Sequence, residues 1–249
     1  MLLALDLGNS TLSIGLHDGS AFLVRFAVRV ADFSGLAQTL EEKLGKHLSK
    51  VDDIALASVN PSWVYAIEGS LLDLLPKVRL TRLGRDVKVP IEARVTRREE
   101  VGVDRLLNAL AAYRHVGDAC LVADFGSAFT LDVVSDDGAY LGGVIAPGIG
   151  MSAHALHRET ALLPEVKPEP VDHVIGKDTI GCIQSGLFWG TVSELEGLVR
   201  RLKSEYPPAR KVLATGGDAE LMRERCDVID EVIPELTLEG IRLTLEGET

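Results

Sequence analysis

The chain repeats itself. Ala4-Leu5-Asp6-Leu7-Gly8-Asn9-Ser10-Thr11-Leu12 lies over Val122-Ala123-Asp124-Phe125-Gly126-Ser127-Ala128-Phe129-Thr130 at a constant offset of 118 residues. Each copy is an apolar run, then Asp, an apolar residue, Gly and a small polar residue, followed by a β-rich stretch and a D-G turn at Asp18-Gly19 or Asp137-Gly138. An offset near half of 249 residues restricts the fold more than local propensity does, because each copy must build its own supersecondary unit. The expectation is an α/β chain of two like-folded lobes, residues 1–116 and 117–249. At 46% hydrophobic and 25% charged, the chain has apolar material for one large core or two small ones, which excludes disorder and fibrous folds.

In each copy the apolar run, 2–5 or 119–123, reads as a buried strand, and the D-x-G after it as a tight turn into a second strand. Residues 11–16 and 21–30 continue as strands joined into a hairpin at Asp18-Gly19. Ser34 offers an N-cap to a one-faced helix carrying Leu36, Leu40, Leu44 and Leu48. Residues 54–59 read as a further buried strand, Pro61-Ser62 as a helix start, and 78–83 as a short strand, so the first lobe is βββαβαβ. The second lobe repeats the order with strands at 121–124, 130–134, 139–145 and 211–215, and Gly216-Gly217-Asp218 turns the last of these into a helix. Residues 99–115, apolar at Leu106, Leu107, Leu110, Ala111 and Tyr113, form an interlobe helix.

Charge and cysteine content narrow the function classes. A net charge of -11 and a pI near 5.0 argue against a chain that coats nucleic acid or anionic membrane, so an anionic substrate must be held by backbone amides, bound cations or a few placed basic residues. No apolar run reaches the length of a membrane span, and the opening Met1-Leu2-Leu3-Ala4 lacks a signal-peptide pattern; the expected location is the cytoplasm. Cys120, Cys182 and Cys226 are widely spaced and read as buried thiols. His154 and His157 lack a third ligand, and Arg94, Arg97 and Arg98 beside Glu99 and Glu100 read as a solvated basic face.

The D-x-G-N-S-T turn from Asp6 to Thr11 presents backbone N–H groups, two hydroxyls and an amide to one point, which makes it a phosphate cradle. Asp6, at the end of a buried strand, would bind hydrated Mg²⁺ there. The second copy offers fewer donors: Asp124 for a cation and Ser127 for a phosphate oxygen, with Asp132 facing solvent from the next strand. Gly142, Gly143 and Gly148 suit close backbone packing as well as ligand approach; Gly216 and Gly217 would let a base or ribose lie against the main chain. Val101-Gly102-Val103-Asp104-Arg105 sets a carboxylate and a guanidinium side by side at a helix start. Asp104 could accept the proton of a hydroxyl being phosphorylated and Arg105 could hold a carboxylate or phosphate, although in isolation the pair also fits a surface ion pair.

Taken together, Asp6-x-Gly-Asn-Ser-Thr, Val-Gly-x-Asp-Arg-x-x-Asn-Ala over 101–109, Asp-Phe-Gly-Ser-Ala at 124–128, Gly-Gly-x-Ile-x-Pro-Gly at 142–148, Gly-x-x-Thr at 176–179 and Thr-Gly-Gly-Asp-Ala at 215–219 resemble the type III pantothenate kinases, in that family's order and over nearly the whole chain. The resemblance implies a duplicated actin-like, ribonuclease-H-like ATPase fold with a nucleotide cleft between its lobes, a homodimer, and ATP-dependent phosphorylation of pantothenate at the start of coenzyme A biosynthesis. It implies that Asp6, Leu7, Gly8, Asn9, Ser10, Thr11, Leu12, Ser13 and Ser127 hold ATP with Mg²⁺ at Asp6. Asp104 would be the proton acceptor, and Gly102, Val103, Asp104 and Arg105 would contact pantothenate, which Thr179 would reach across the dimer. Asp124 would carry a monovalent cation, K⁺ or NH₄⁺. Four positions depart from the family pattern. Phe129 stands at a usual threonine and would weaken ATP or cation binding. Val95 replaces a tyrosine, and Arg97-Arg98 an Asn-Pro, in the expected wall of the pantothenate pocket. The alternatives are an actin-like kinase of another small alcohol and a non-catalytic nucleotide-binding regulator. An apolar stripe at Ile180, Ile183, Leu187, Trp189 and Val192 is the expected dimer surface, with core packing as the competing reading.

Overall fold

The computed structural model of the chain describes residues 1–247. They form two compact units: the first comprises 1–91, 97–111 and the segment from Glu235 onward, the second 92–96 and 112–234. In the first, β1 (Leu2–Leu7), β2 (Thr11–His17) and β3 (Phe22–Arg29) form an antiparallel meander, followed by α1 (Leu36–Leu44), β4 (Asp53–Ser58), α2 (Pro61–Leu74) and β5 (Arg79–Arg82). α3 (Val103–Val116) leads to β6 (Cys120–Phe125), β7 (Ala128–Val134), β8 (Tyr140–Pro147), α4 (Ile149–Arg158), α5 (Thr179–Glu205), β9 (Lys211–Thr215), α6 (Ala219–Arg223) and β10 (Glu231–Val232), and α7 (Leu236–Glu246) closes the chain's described part.

The two five-stranded sheets are topological copies. The first runs β3-β2-β1-β4-β5 and the second, read from its opposite edge, β8-β7-β6-β9-β10. In each, the D-x-G strand pairs antiparallel with its hairpin partner on one side and parallel with a later strand on the other. The expected duplication and the βββαβαβ order of the first half hold; the second half inserts two helices, α4 and α5, between its third and fourth strands.

Both central strands are buried on two faces. Leu3, Leu5 and Leu7 of β1 join Leu12, Ile14 and Leu16 of β2 in a core closed by Leu36, Leu40 and Leu44 of α1. On the opposite face α7 packs closely: Leu238 reaches Gly15, and Gly240 lies so near the Leu107 carbonyl of α3 that a Cβ would collide with it. Helix α1 starts one residue later than Ser34 suggests. Val30 is pinned by its N–H on the Ser10 carbonyl at 2.9 Å, so residues Val30–Gly35 form a 3-10 turn and Gly35 stands at the helix cap. Gly45 at φ 51° ends α1, which puts Leu48 in the following 3-10 turn rather than in the helix. α2 is capped by Asn60, whose Oδ1 accepts the Ser62 N–H at 3.2 Å, with Pro61 in the first turn where a missing N–H costs nothing.

The second unit places Phe129 and corrects three expectations. Phe129 points into the core and stacks on Phe125 at 5.0 Å, because Phe129, Leu131 and Val133 share the core face of β7; Ala128 and Thr130, not Phe129, lie on the other. Asp132 faces no solvent: it is 1% exposed and accepts the Tyr140 hydroxyl at 2.9 Å. Cys182 is exposed, unlike the buried Cys120 and Cys226, since it lies on the outer side of α5; burial pushes the Cys120 thiol up to about 12. Of the α5 stripe, Ile183, Leu187 and Val192 belong to the core, and Ile180 is exposed. Phe129→Ala should lower stability by about 3–5 kcal/mol, read as a shift in the urea midpoint at unchanged slope, as expected for an aromatic ring removed from a core.

Candidate active site

The first D-x-G turn is tied down on three sides. The Gly8 N–H donates to the Thr11 carbonyl at 3.0 Å and closes the turn. The Ser10 carbonyl holds the Val30 N–H, and the Asn9 carbonyl accepts Asn60 Nδ2 at 3.4 Å. Asn9, Ser10 and Thr11 are exposed. Leu7 and Leu12 have their side chains in the core and can offer a ligand only main-chain groups. Asp6 is half-buried and stands in register with Ser13 on β2 and Ala57 on β4, so the carboxylate and the Ser13 hydroxyl share one face of the sheet.

Val59, one residue beyond β4, joins this turn to the next part of the site. Its N–H donates to the Leu7 carbonyl at 3.1 Å, and its Cγ1 lies 3.6 Å from where a Cβ on Gly102 would stand. The Gly102–Arg105 turn and the D-x-G turn therefore flank Val59 at the carboxyl ends of the parallel strands β1 and β4, the end of an α/β sheet at which ligands bind. Val103 fixes the start of α3 by packing on Gly84, whose φ of 84° makes the turn after β5 and whose Cβ would come within 3.2 Å of the Val103 side chain. Asn108, one turn further on, is buried and accepts the Thr237 hydroxyl at 2.7 Å, a tie from α3 to the start of α7.

Asp104 folds back on the first turn of α3, where its Oδ1 accepts the Arg105 N–H at 2.8 Å. Burial raises its pKa above the ordinary carboxylate value; the Arg105 amide and guanidinium oppose the rise without cancelling it. A partly desolvated carboxylate of raised pKa is a better proton acceptor than an exposed one.

In the second unit the D-x-G turn is built on backbone contacts. Gly126 N–H donates to the Ala128 carbonyl at 3.2 Å, and the Ser127 carbonyl accepts the Gly148 N–H at 3.1 Å. Asp218 N–H donates to the Phe125 carbonyl at 3.2 Å. Gly216, at φ 92°, lies so close that a Cβ would come 2.6 Å from both Asp124 Oδ1 and the Phe125 carbonyl oxygen. Gly143 similarly crowds the Leu131 carbonyl, and Gly148 those of Gly126 and Ser127. At these three glycines close packing of main chain on main chain is what the structure contains. Asp124 stands in register with Thr130 on one side and Thr215 on the other, a carboxylate between two hydroxyl residues that suits a hard cation. Asp218 was not foreseen: this half-buried carboxyl, raised by burial, sits beside the same turn. An acid immediately after a strand-Gly-Gly junction was the available signal.

Thr179 is exposed at the start of α5, where the Asp178 side chain caps the helix by accepting the Gly181 N–H at 2.7 Å. Among the basic residues expected to be solvated, Arg94 pairs with Glu92 and Asp137, and Arg97 with Glu100. Arg98 instead turns inward, donating to the Ile91 carbonyl and, at 2.9 Å, to that of Val89. The Val89 carbonyl also accepts the Ile91 N–H at 2.8 Å, and the planar guanidinium bridges the two carbonyls of this irregular segment.

A family model described as type III pantothenate kinase matches residues 2–201. A type III pantothenate kinase of Moorella thermoacetica is 36% identical over 255 residues, covering 100% of both chains. One of Acidiphilium cryptum is 38% identical over 252 residues, covering 98% of this chain and 93% of its own. Among solved structures, a conserved Campylobacter jejuni protein described as a Baf family transcriptional activator superposes with a TM-score of 0.62 at 20% identity, covering 99% of this chain and 98% of that one. An archaeal actin homologue superposes at 0.52 and 12% identity, covering 99% of each. The structural likenesses show a duplicated actin-like fold. With the match of the family model and full-length relatives above a third identical, the chain belongs to the type III pantothenate kinase family.

Proposed function

We propose that the protein transfers the γ-phosphate of ATP to the primary hydroxyl of pantothenate, the first step of coenzyme A biosynthesis, with Asp104 as proton acceptor. The observation that carries the assignment is the desolvated Asp104 carboxylate held beside Val59, whose main chain is bonded to the Asp6–Thr11 turn. In the transfer, the hydroxyl oxygen forms the new bond to γ-phosphorus and the bond from γ-phosphorus to the bridging oxygen breaks. Asp104 takes the hydroxyl proton and later yields it to water, and ADP leaves with the bridging oxygen. Phosphoryl transfer of this kind depends on positioning and charge neutralisation more than on covalent help.

In this reading Gly8, Asn9, Ser10 and Thr11 bind phosphate oxygens, Leu7, Leu12 and Ser13 complete the turn through their main chain, and Ser127 contributes a hydroxyl. Asp6 would hold magnesium, which would supply charge neutralisation in the transfer, and Asp124, in register between Thr130 and Thr215, would hold a monovalent cation, K⁺ or NH₄⁺. Arg105 binds the pantothenate carboxylate, Gly102 and Val103 line its path, and Thr179 reaches it from a partner subunit. The groove beside α5 supports a homodimer: it is about 550 Å³, lined by Trp189, Cys182, Val174 and Ile175, the last two 65% and 73% exposed. Among the described residues no helix is long and apolar enough to cross a membrane, and the reading puts the enzyme in the cytoplasm.

ADP release by the purified protein with ATP, Mg²⁺ and pantothenate should require both pantothenate and potassium, with sodium ineffective. Turnover indifferent to the cation would remove the Asp124 assignment, and turnover with a different alcohol alone would redirect the substrate. Asp104→Asn should lower kcat by about 10²–10⁴-fold while ATP binding is retained. The same variant should be more heat-stable than the native protein. Because the folded-state pKa of Asp104 is raised, the stability contributed by its protonated form is complete below the unfolded carboxyl pKa and is lost as pH rises through the folded value. Ionisation of Asp104 thus costs the folded state stability, a cost that asparagine, still able to accept the Arg105 N–H, does not carry. The Tm advantage of Asp104→Asn should be clear at about pH 8 and shrink toward about pH 4.

A further inference from the structure

Gly102 holds a position in which a side chain would collide with one particular group. Its backbone is not in the left-handed region, so alanine could adopt the same dihedrals without strain. A Cβ built there, however, would press into Asp104 Oδ1, its nearest neighbour, whereas the next ones, Asp104 Cγ at 3.5 Å and Val59 Cγ1 at 3.6 Å, are at ordinary contact distance. No main-chain atom stands within that range, unlike the situation at Gly143, Gly148, Gly216 and Gly240, where the carbonyl oxygens of neighbouring segments block a Cβ. The atom that fills the space beside Gly102 is therefore Asp104 Oδ1, the same oxygen that accepts the Arg105 N–H at 2.8 Å.

We propose that Gly102 is a positioning residue for the kinase reaction: beyond any main-chain contact with pantothenate, by lacking a side chain it leaves the space in which the Asp104 carboxylate folds back onto the first turn of α3, and it acts on the proton transfer through that carboxylate. The inference rests on Asp104 as proton acceptor. An aspartate side chain has two soft torsions, so a methyl group at residue 102 would be accommodated by swinging the carboxylate off the Arg105 amide and outward into solvent, with the main chain unmoved. The fold would survive; the geometry of proton transfer would not, and displacements near 1 Å cost about 10²-fold in rate.

The test compares Gly102→Ala with Asp104→Asn in the full-length protein, measuring kcat, the KM for pantothenate, ATP binding and Tm. For Gly102→Ala the expected result is a fall in kcat of about 10–10²-fold, with the KM for pantothenate within about twofold of native, ATP binding intact and Tm within a few degrees. A raised KM at native kcat would overturn the proposal, since the space beside Gly102 would then serve the substrate and not the carboxylate. A collapse in Tm would also overturn it, since the glycine would then serve the main chain. Native kinetics throughout would mean that the carboxylate does not need the space. If Asp104→Asn itself keeps native turnover, the proton-acceptor reading fails first; if Asp104→Asn is inactive and Gly102→Ala is not impaired, only the positioning role falls.

Discussion

The parallel pairing of β1 with β4, in register from Leu2 with Asp53 to Leu7 with Ser58, is the contact on which the first half of the site depends. A parallel pair brings two carboxyl ends to the same edge of the sheet. At that edge Leu7 passes its last ladder bond to Val59 and the chain on each strand turns away, one into the Asp6–Thr11 turn and the other into α2. Everything polar in the first unit's site hangs from these few residues: Asn60 caps α2 with its Oδ1 and reaches Asn9 with its Nδ2, and Val59 separates the phosphate turn from Gly102. Had β4 paired antiparallel, Val59 and Leu7 would lie at opposite ends of the sheet.

The duplicated unit uses the same pairing, β6 with β9, to a different end. Where the first copy has an exposed Asn-Ser-Thr run, the second has Ser127 followed by Ala128 and a core phenylalanine, and its turn is braced by Gly148, Gly216 and Asp218 through main-chain contacts. Its strand end sets Asp124 in register between Thr130 and Thr215. One supersecondary unit thus supports a donor-rich turn suited to phosphate in the first copy and an oxygen-lined strand end suited to a cation in the second.

Strands, hairpins and the duplication were legible because they rest on local signals: apolar runs, D-G turns and a fixed offset. The chemistry residues were legible as types, since a carboxylate after a buried strand or at a helix start is unusual. What sequence did not disclose depends on side-chain direction or on distant partners. Phe129 was judged by motif position, and the alternation that puts it on the same face as Leu131 and Val133 overrode that. Arg98 belongs to a charged run, but its targets are the carbonyls of Val89 and Ile91, which only the folded loop leaves available. The return of α7 to the first sheet, with Gly240 against Leu107, has no local signal at all. Nor does the space beside Gly102, which is set by a side chain two residues away.

The family assignment and the site meet in a single chemical event, the arrival of a phosphoryl group on an alcohol oxygen. Following ATP labelled in its γ-phosphate through one turnover with pantothenate is the direct measurement. Label recovered on the primary hydroxyl of pantothenate, in amount equal to the ADP formed, is the predicted result. Label found only in inorganic phosphate, or remaining in bound ATP, would contradict the assignment of this chain's site to pantothenate phosphorylation.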